Sequence, residues 1–139
     1  MANLRRATLA DTLRLMEIRF AVRENRLADP TSVTAADCSA FIARDLVWVA
    51  EEPGGIVGFS ASNDLDGTIW ALFIDPTDQC RGLGAGLLAL ACADLAAKGF
   101  AIARLTTDPG TRADRFYRRH GWKATGIGED GEVQFEKVL

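Results

Sequence analysis

The sequence has little from which to build a metal site, a disulfide framework or a membrane span. One histidine and three cysteines occur in 139 residues, and no Cys-x-x-Cys pair is present, so no ligand set of the kind a bound metal needs is assembled. Cys38, Cys80 and Cys92 are odd in number, which fits free thiols in a reducing compartment better than disulfides. No apolar run approaches the roughly 18 residues that cross a bilayer, and Met1-Ala2-Asn3-Leu4-Arg5-Arg6 lacks the apolar core of a secretion signal. The expectation is a cytoplasmic protein with no membrane partner. Basic excess is missing too: 16 Lys and Arg stand against 19 Asp and Glu, a net charge of −3. That excludes the uniform basic surface of a sequence-independent nucleic-acid binder. Repeats and low-complexity stretches are absent. With 48% hydrophobic and 25% charged residues, the composition is that of one globular domain with a full core, taken as residues 1–139.

One stretch organises the rest. Thr68 to Ile74 is an apolar, strand-like run, and Gly84 to Lys98 consists almost wholly of good helix formers. Between them, Asp75-Pro76-Thr77-Asp78-Gln79-Cys80-Arg81-Gly82-Leu83 takes a strand through a glycine turn into a helix. The first N–H groups of such a helix have no intrahelical partner and point, with the positive end of its dipole, at whatever lies in the turn. A phosphate fits there. Gly82 and Gly84 lack a Cβ, so a pyrophosphate can come close to the backbone. Two nucleotide motifs are excluded by spacing: Leu87 stands where the dinucleotide fingerprint needs a third glycine, and no Gly-Lys-Ser/Thr follows the turn.

The remaining elements follow in order. Leu4 to Ala7 predicts a short edge strand, and Thr8 caps a helix over Leu9 to Arg23 in which Leu9, Leu13, Met16 and Phe20 recur at helical spacing. Arg23 to Pro30 is charged and breaks at Asp29-Pro30, predicting a loop. Thr34 caps a second helix running to about Arg44, with Asp37 in its first turn. Leu46 to Glu51 and Gly55 to Asn63 read as strands joined at Glu52-Pro53-Gly54, and Asp64 to Gly67 is a further turn. Ala101 to Thr107 is a strand, Gly110 to His120 a helix stopped by Gly121, and Trp122 to Gly126 with Glu132 to Val138 a terminal hairpin.

Gln79-Cys80-Arg81-Gly82-Leu83-Gly84 resembles the Gln/Arg-x-x-Gly-x-Gly/Ala signature of the GNAT family of N-acetyltransferases. Ala113 to Trp122, which holds the single tyrosine Tyr117, is similar to that family's Ala-x-x-x-Tyr-x-x-x-Gly-Phe block, and the element order β-α-α-β-β-β-α-β-α-β-β is the family's own. The resemblance spans nearly the whole chain. It implies an α/β (α+β) fold with a mixed, twisted central sheet flanked by helices on both faces. It implies an acyl-coenzyme A-dependent N-acyltransferase that passes acetyl from acetyl-coenzyme A, with no metal, to a primary amine of a small-molecule or peptide acceptor by direct attack. Monomer and homodimer both stay open. In the pattern of the family, Gln79, Cys80, Arg81, Gly82, Leu83 and Gly84 hold the cofactor, and Tyr117 sits by its sulfur as general acid. A backbone N–H of Phe73 or Ile74 polarises the thioester carbonyl.

Two departures weigh against turnover. The strand Thr68 to Ile74 has no carboxylate where the family often places a glutamate, and Gly110 replaces a usual asparagine three residues before Ala113, leaving Asp108 or Thr111 to cap. These departures motivate the alternative of a non-catalytic acyl-coenzyme A-binding sensor or interaction module. Glu24, Asp64, Asp66 and Glu132 are the candidate bases, although exposed carboxylates are mostly solvated charges. Arg112, Arg115 and Arg119 share a helix face, read either as a phosphate contact or as a solvated basic face. Acceptor recognition falls to Arg23 to Pro30, Asn63 to Gly67 and Gly128 to Gly131, with Arg23 or Arg26 read either as a partner for an anionic acceptor or as ordinary loop charges. Cys80 lacks the partner that a nucleophile needs.

Overall fold

A computed structural model describes residues 2–21, 34–78 and 82–139. The strands are β1 (Asn3–Arg6), β2 (Val47–Glu52), β3 (Gly55–Asn63), β4 (Thr68–Ile74), β5 (Ile102–Thr107), β6 (Lys123–Ile127) and β7 (Val133–Val138). They form one sheet in the order β1-β2-β3-β4-β5-β7-β6. Helices α1 (Thr12–Ala21) and α2 (Ala35–Ala43) fall between β1 and β2, α3 (Leu83–Ala97) between β4 and β5, and α4 (Arg112–Arg119) between β5 and β6. Among the described residues only β4 and β5 are parallel neighbours, because α3 carries the chain back across the sheet between them. The final hairpin enters with its second strand, so β7 rather than β6 lies against β5.

Alternation along each strand divides the interior into two cores. Val47 and Val49 of β2 face α1 and α2, where they meet Leu15, Ile18, Cys38 and Ile42. Trp48, between them, turns to the other face, and its indole N–H donates to Asp94 of α3 at 3.0 Å. Arg6 of β1 gives the same carboxylate two bonds of 2.6 and 2.9 Å, so one acid on α3 ties down both β1 and β2. On that side Leu88, Ala91 and Leu95 of α3 pack with Ala103 and Leu105 of β5 and with Phe135 of β7. Helices therefore cover both faces. Each fully buried Leu or Ile contributes about 1.5–3 kcal/mol by leaving water. Among the described residues no helix is long and apolar enough to cross a membrane.

The first helix differs from its sequence pattern. Leu9–Asp11 forms a 3-10 turn before α1 begins at Thr12, and Val22 and Arg23 lie outside the described residues. Leu9, Leu13 and Phe20 are 60, 77 and 52% exposed, whereas Thr12, Leu15, Ile18 and Arg19 are buried. Both stripes have helical spacing, so periodicity cannot choose between them. The choice is made by the helix entry: Asp11 accepts from the Thr8 N–H at 2.8 Å and pairs with Arg5 of β1 at 3.0 Å. That pair ties the helix entry to β1 in the rotation that buries Leu15 and Ile18.

Candidate active site

Strands β4 and β5 pair only at Thr68 and Arg104, and beyond that point the ladder opens. A cavity of about 500 Å³ occupies the split, lined along β4 from Thr68 to Phe73 and along β5 from Arg104 to Thr107. Its wall continues on one side to Met16, Arg19 and Cys38 and on the other to Tyr117. A bulge in β4 helps to shape it. Ala61 pairs with Ala71 but Ser62 with Ile69, so Trp70 is an extra residue. Trp70 stacks on Phe41 of α2 at 4.4 Å, while Leu72 packs in the opposite core.

The split also fixes which backbone amides are available. Asp75 N–H donates to Val57 O at 2.8 Å. Alternation along this antiparallel ladder then turns the N–H of Phe73 toward β3 and those of Leu72 and Ile74 toward the split. Of the two candidate amides, Ile74 is the one that faces the cavity side.

At the end of β4, Asp75 accepts from Thr77 through its N–H at 3.1 Å and its hydroxyl at 2.9 Å, and from Arg14 at 3.0 Å. The Thr77 N–H, ahead of the Arg14 guanidinium, holds its carboxyl below the usual carboxylate range. Arg14 also donates to Ile56 O at 2.9 Å, so α1 braces the start of the glycine turn. Gln79, Cys80 and Arg81 lie outside the described residues. Gly82 caps α3 with φ +73° and makes no side-chain cap bond. A Cβ there meets nothing within 4 Å, so the need for glycine is the left-handed backbone itself. Leu83 opens the helix, and a Cβ on Gly84 would sit 3.4 Å from the ring of Phe116 on α4.

Helix α4 starts without the family's asparagine. Thr111 caps it by accepting from Asp114 N–H at 3.2 Å, and the Asp114 carboxylate accepts from Gly110 N–H at 2.8 Å and Arg118 Nε at 2.7 Å. Burial works to raise the Asp114 pKa, but those donors outweigh it and the carboxyl lies below its usual range. Gly110, at φ +75°, makes the turn possible. The helix presents Tyr117, whose ring packs against Phe116, Trp122 and Phe135 at 5.4 to 5.9 Å between centroids. Burial, with Cys92 adding to it, pushes the phenol well above its ordinary value, so the hydroxyl keeps its proton throughout the neutral range. On the same helix Arg115 donates to Gly110 O at 3.0 Å, which gives it a structural task.

The candidate bases separate cleanly. Glu24 lies outside the described residues, as do Arg23 and Arg26 and the loop that carries them. Asp64 pairs with Arg44 and with Lys98 at the foot of α3, and Asp66 accepts from Thr68 N–H and hydroxyl within its own turn. That turn sits below the closed end of the split. Glu132 is different. It is buried, accepts from the hydroxyl of cavity-lining Thr106 at 2.8 Å and leaves Oε2 without a hydrogen bond. Burial first, then neighbouring Asp130 and Asp108, raises its pKa against the Thr106 hydrogen bond.

Two cavity residues were not legible as site residues in the sequence. The Thr107 hydroxyl is buried without a partner. Arg19 is 7% exposed, with its guanidinium carbon 4.9 Å from the centre of the Phe73 ring. The signal for Arg19 was its spacing from Leu15, usable only once the rotation of α1 is known. Cys38 also borders the cavity, and burial pushes its thiol up to about 11, far from a reactive thiolate. Among the described residues no cluster of His, Cys, Asp and Glu could hold a metal ion.

No curated protein matches this chain in sequence. Solved structures match its fold along its full length. The PaiA N-acetyltransferase from Thermoplasma acidophilum, in complex with coenzyme A, has a TM-score of 0.86 at 17% identity, covering 100% of this chain and 99% of its own. YncA from Salmonella typhimurium, with its cofactor acetyl-CoA, gives 0.83 at 21% identity over 100% and 94%. An N-acetyltransferase from Staphylococcus aureus Mu50 gives 0.79 at 17% over 99% and 98%. Residues 43–124, well over half of the chain and including β4, the glycine turn, α3, β5 and α4, match the acetyltransferase (GNAT) domain. The chain therefore belongs to the GNAT family of acetyltransferases.

Proposed function

We propose that the protein transfers an acetyl group from acetyl-coenzyme A to a primary amine by direct attack within the split between β4 and β5. The observation that carries this reading is the split itself: one bridging pair, then a cavity that reaches from the side of α1 and α2 to Tyr117. The cofactor's requirements match what is there. The N-terminus of α3, where Gly82 makes no side-chain cap bond and has open space beside it, suits a pyrophosphate, and the orphaned Thr107 hydroxyl offers a polar contact within the cavity wall. Acetyl-coenzyme A supplies the acyl group as an activated thioester. Gly82, Leu83 and Gly84 hold its phosphates in this reading, with Gln79, Cys80 and Arg81 completing the turn, and Ile74 N–H polarises the carbonyl. Tyr117 donates a hydrogen bond to the departing sulfur.

A primary amine with pKa near about 10.4 must lose a proton before it attacks. We assign that task to Glu132 acting through Thr106: the Thr106 hydroxyl takes the amine proton and passes its own to the carboxylate it already contacts. A raised carboxyl pKa makes Glu132 a better base than an exposed acid. With its thiol pushed up to about 11, Cys38 gives an acyl-cysteine step no support.

Titrating the protein with acetyl-coenzyme A should raise its Tm, because a ligand bound only by the native state stabilises it by mass action; at a hundredfold excess over Kd the gain is about 2.7 kcal/mol. NADH and ATP should do much less. Free thiol release with a panel of amines then separates an enzyme from a binding module. Stabilisation by NADH but not by millimolar coenzyme A would sink the reading.

Glu132→Gln tests the base twice. An unfolded glutamate ionises near about pH 4.3 and the buried one at higher pH. The native state thus binds more protons, and wild-type stability falls as pH rises through that interval. Glutamine carries no such penalty and can still accept from Thr106. The variant should melt above wild type at about pH 8 and converge with it near about pH 4, while turnover falls by roughly 10² or more. A variant that is less stable at pH 8 and fully active removes both claims.

A further inference from the structure

We infer that Arg19 receives a carboxylate carried by the amine acceptor, so that the preferred substrates are small amino acids with an unblocked carboxylate rather than neutral amines. The inference rests on the acetyltransferase reading above. Arg19 lies on the buried face of α1 and borders the cavity with Met16, Cys38, Phe59 and Phe73. Arg5, Arg6, Arg14, Arg104 and Arg118 each hold a carboxylate. Among the described residues no carboxylate lies within ion-pair distance of Arg19. Burial acts to lower its pKa.

An unpaired guanidinium kept out of water is costly, and its contact with the Phe73 ring offsets only part of that cost. Of the other charged residues on the cavity wall, Arg104 and Glu136 neutralise each other at 3.2 Å. Among the described residues the cavity wall is therefore left with one uncompensated positive charge. A planar fork of donors, already desolvated and braced on an aromatic ring, is the arrangement that binds a carboxylate in two parallel hydrogen bonds. Its position selects the acceptor as the carrier. The cofactor's phosphates belong to the glycine turn, which α1 reaches earlier through Arg14 and Asp75. Arg19 lies further along α1, beside Phe73 on the face of β4 turned away from α3, where Phe73 packs with Leu15 and Ile18. An amine approaching from the α1 and α2 side brings its own substituents there.

The test compares L-amino acids with their amides as acceptors, using acetyl-coenzyme A and thiol release. Wild type should favour the carboxylate form by roughly 100-fold in kcat/KM, the loss expected when a buried charged hydrogen-bonding group goes unmatched. Arg19→Met, which keeps the length of the side chain and removes the charge, should shrink that ratio to about threefold or less, with a Tm no lower than wild type. Arg19→Lys should recover part of the preference, and it carries the test if the methionine variant does not fold. A third arm replaces acetyl-coenzyme A by succinyl-coenzyme A. If the preference that Arg19→Met removes is for the succinyl thioester, the carboxylate belongs to the acyl chain and the inference is overturned. Amides acetylated as well as amino acids, or no amino acid acetylated at all, overturn it equally. Calorimetric titration with acetyl-coenzyme A keeps the two levels apart: binding without carboxylate preference defeats only this inference, and absence of binding defeats the acetyltransferase reading with it.

Discussion

Gly84→Glu should weaken coenzyme A binding by roughly 100-fold while leaving the protein folded. A Cβ at this position comes to 3.4 Å from the Phe116 ring, ordinary contact rather than a clash, and Gly84 is the second residue of α3. A carboxylate in the first turn of a helix interacts favourably with the dipole, so the substitution is not expected to cost stability. The ligand meets the same charge with the opposite result. Two like charges about 5 Å apart at an effective dielectric of about 20 repel by about 3 kcal/mol, close to two orders of magnitude in Kd. Gly84→Ala adds only the Cβ, so the difference between the two variants isolates the charge. Because the effect is electrostatic at a partly solvated turn, it should diminish as salt is raised. Calorimetry at two ionic strengths measures all of this. Wild-type affinity in a folded Gly84→Glu protein would place the cofactor elsewhere.

What could be read from the sequence, and what could not, divides along a physical line. The glycine turn was legible because its requirements are local: Gly82 needs a left-handed backbone, and α3 follows at once with helix formers. The helix entry at Thr111 was equally readable as one of two possible caps, since capping is decided within four residues. Relations between distant elements were not. The burial of Leu15, Ile18 and Arg19 in place of Leu9, Leu13 and Phe20 depends on how α1 packs on β2, β3 and α2, and it is accompanied by a pair between Arg5 and Asp11 that joins β1 to the start of the helix. The insertion of β7 between β5 and β6 depends on which strand of a hairpin docks first, and both strands have suitable composition. The choice of Ile74 over Phe73 as the amide that faces the split needs the register with β3. So does the bulge that makes Trp70 and Ala71 consecutive members of one face. Motifs and element order implied the class of fold through a family resemblance, and pairing placed the side chains that line the cavity.

Tyr117→Phe is expected to lower the rate of the chemical step by roughly 10¹ to 10² with little change in coenzyme A affinity. The phenylalanine ring keeps the contacts with Phe116, Trp122 and Phe135, so only the hydroxyl is lost. Its contribution is bounded by acidity. A thiol ionises near about 8.5, and burial holds the Tyr117 phenol well above its own ordinary value. Full proton transfer from tyrosine to the departing thiolate therefore runs uphill. In the proposed mechanism the hydroxyl acts as a hydrogen-bond donor to the charge that develops on sulfur, a contact worth about 1.5–3 kcal/mol when one partner is charged. The same shift determines the pH behaviour. A phenol that ionises so far above neutrality cannot produce an alkaline limb in the accessible range, so both proteins should trace profiles of the same shape, the variant lower at every pH. Single-turnover measurement is required, because product release can conceal a loss of this size in the steady state. Equal single-turnover rates at every pH would make Tyr117 a packing residue, and an alkaline limb present in wild type but absent from the variant would show that the phenol ionises far more readily than its burial allows.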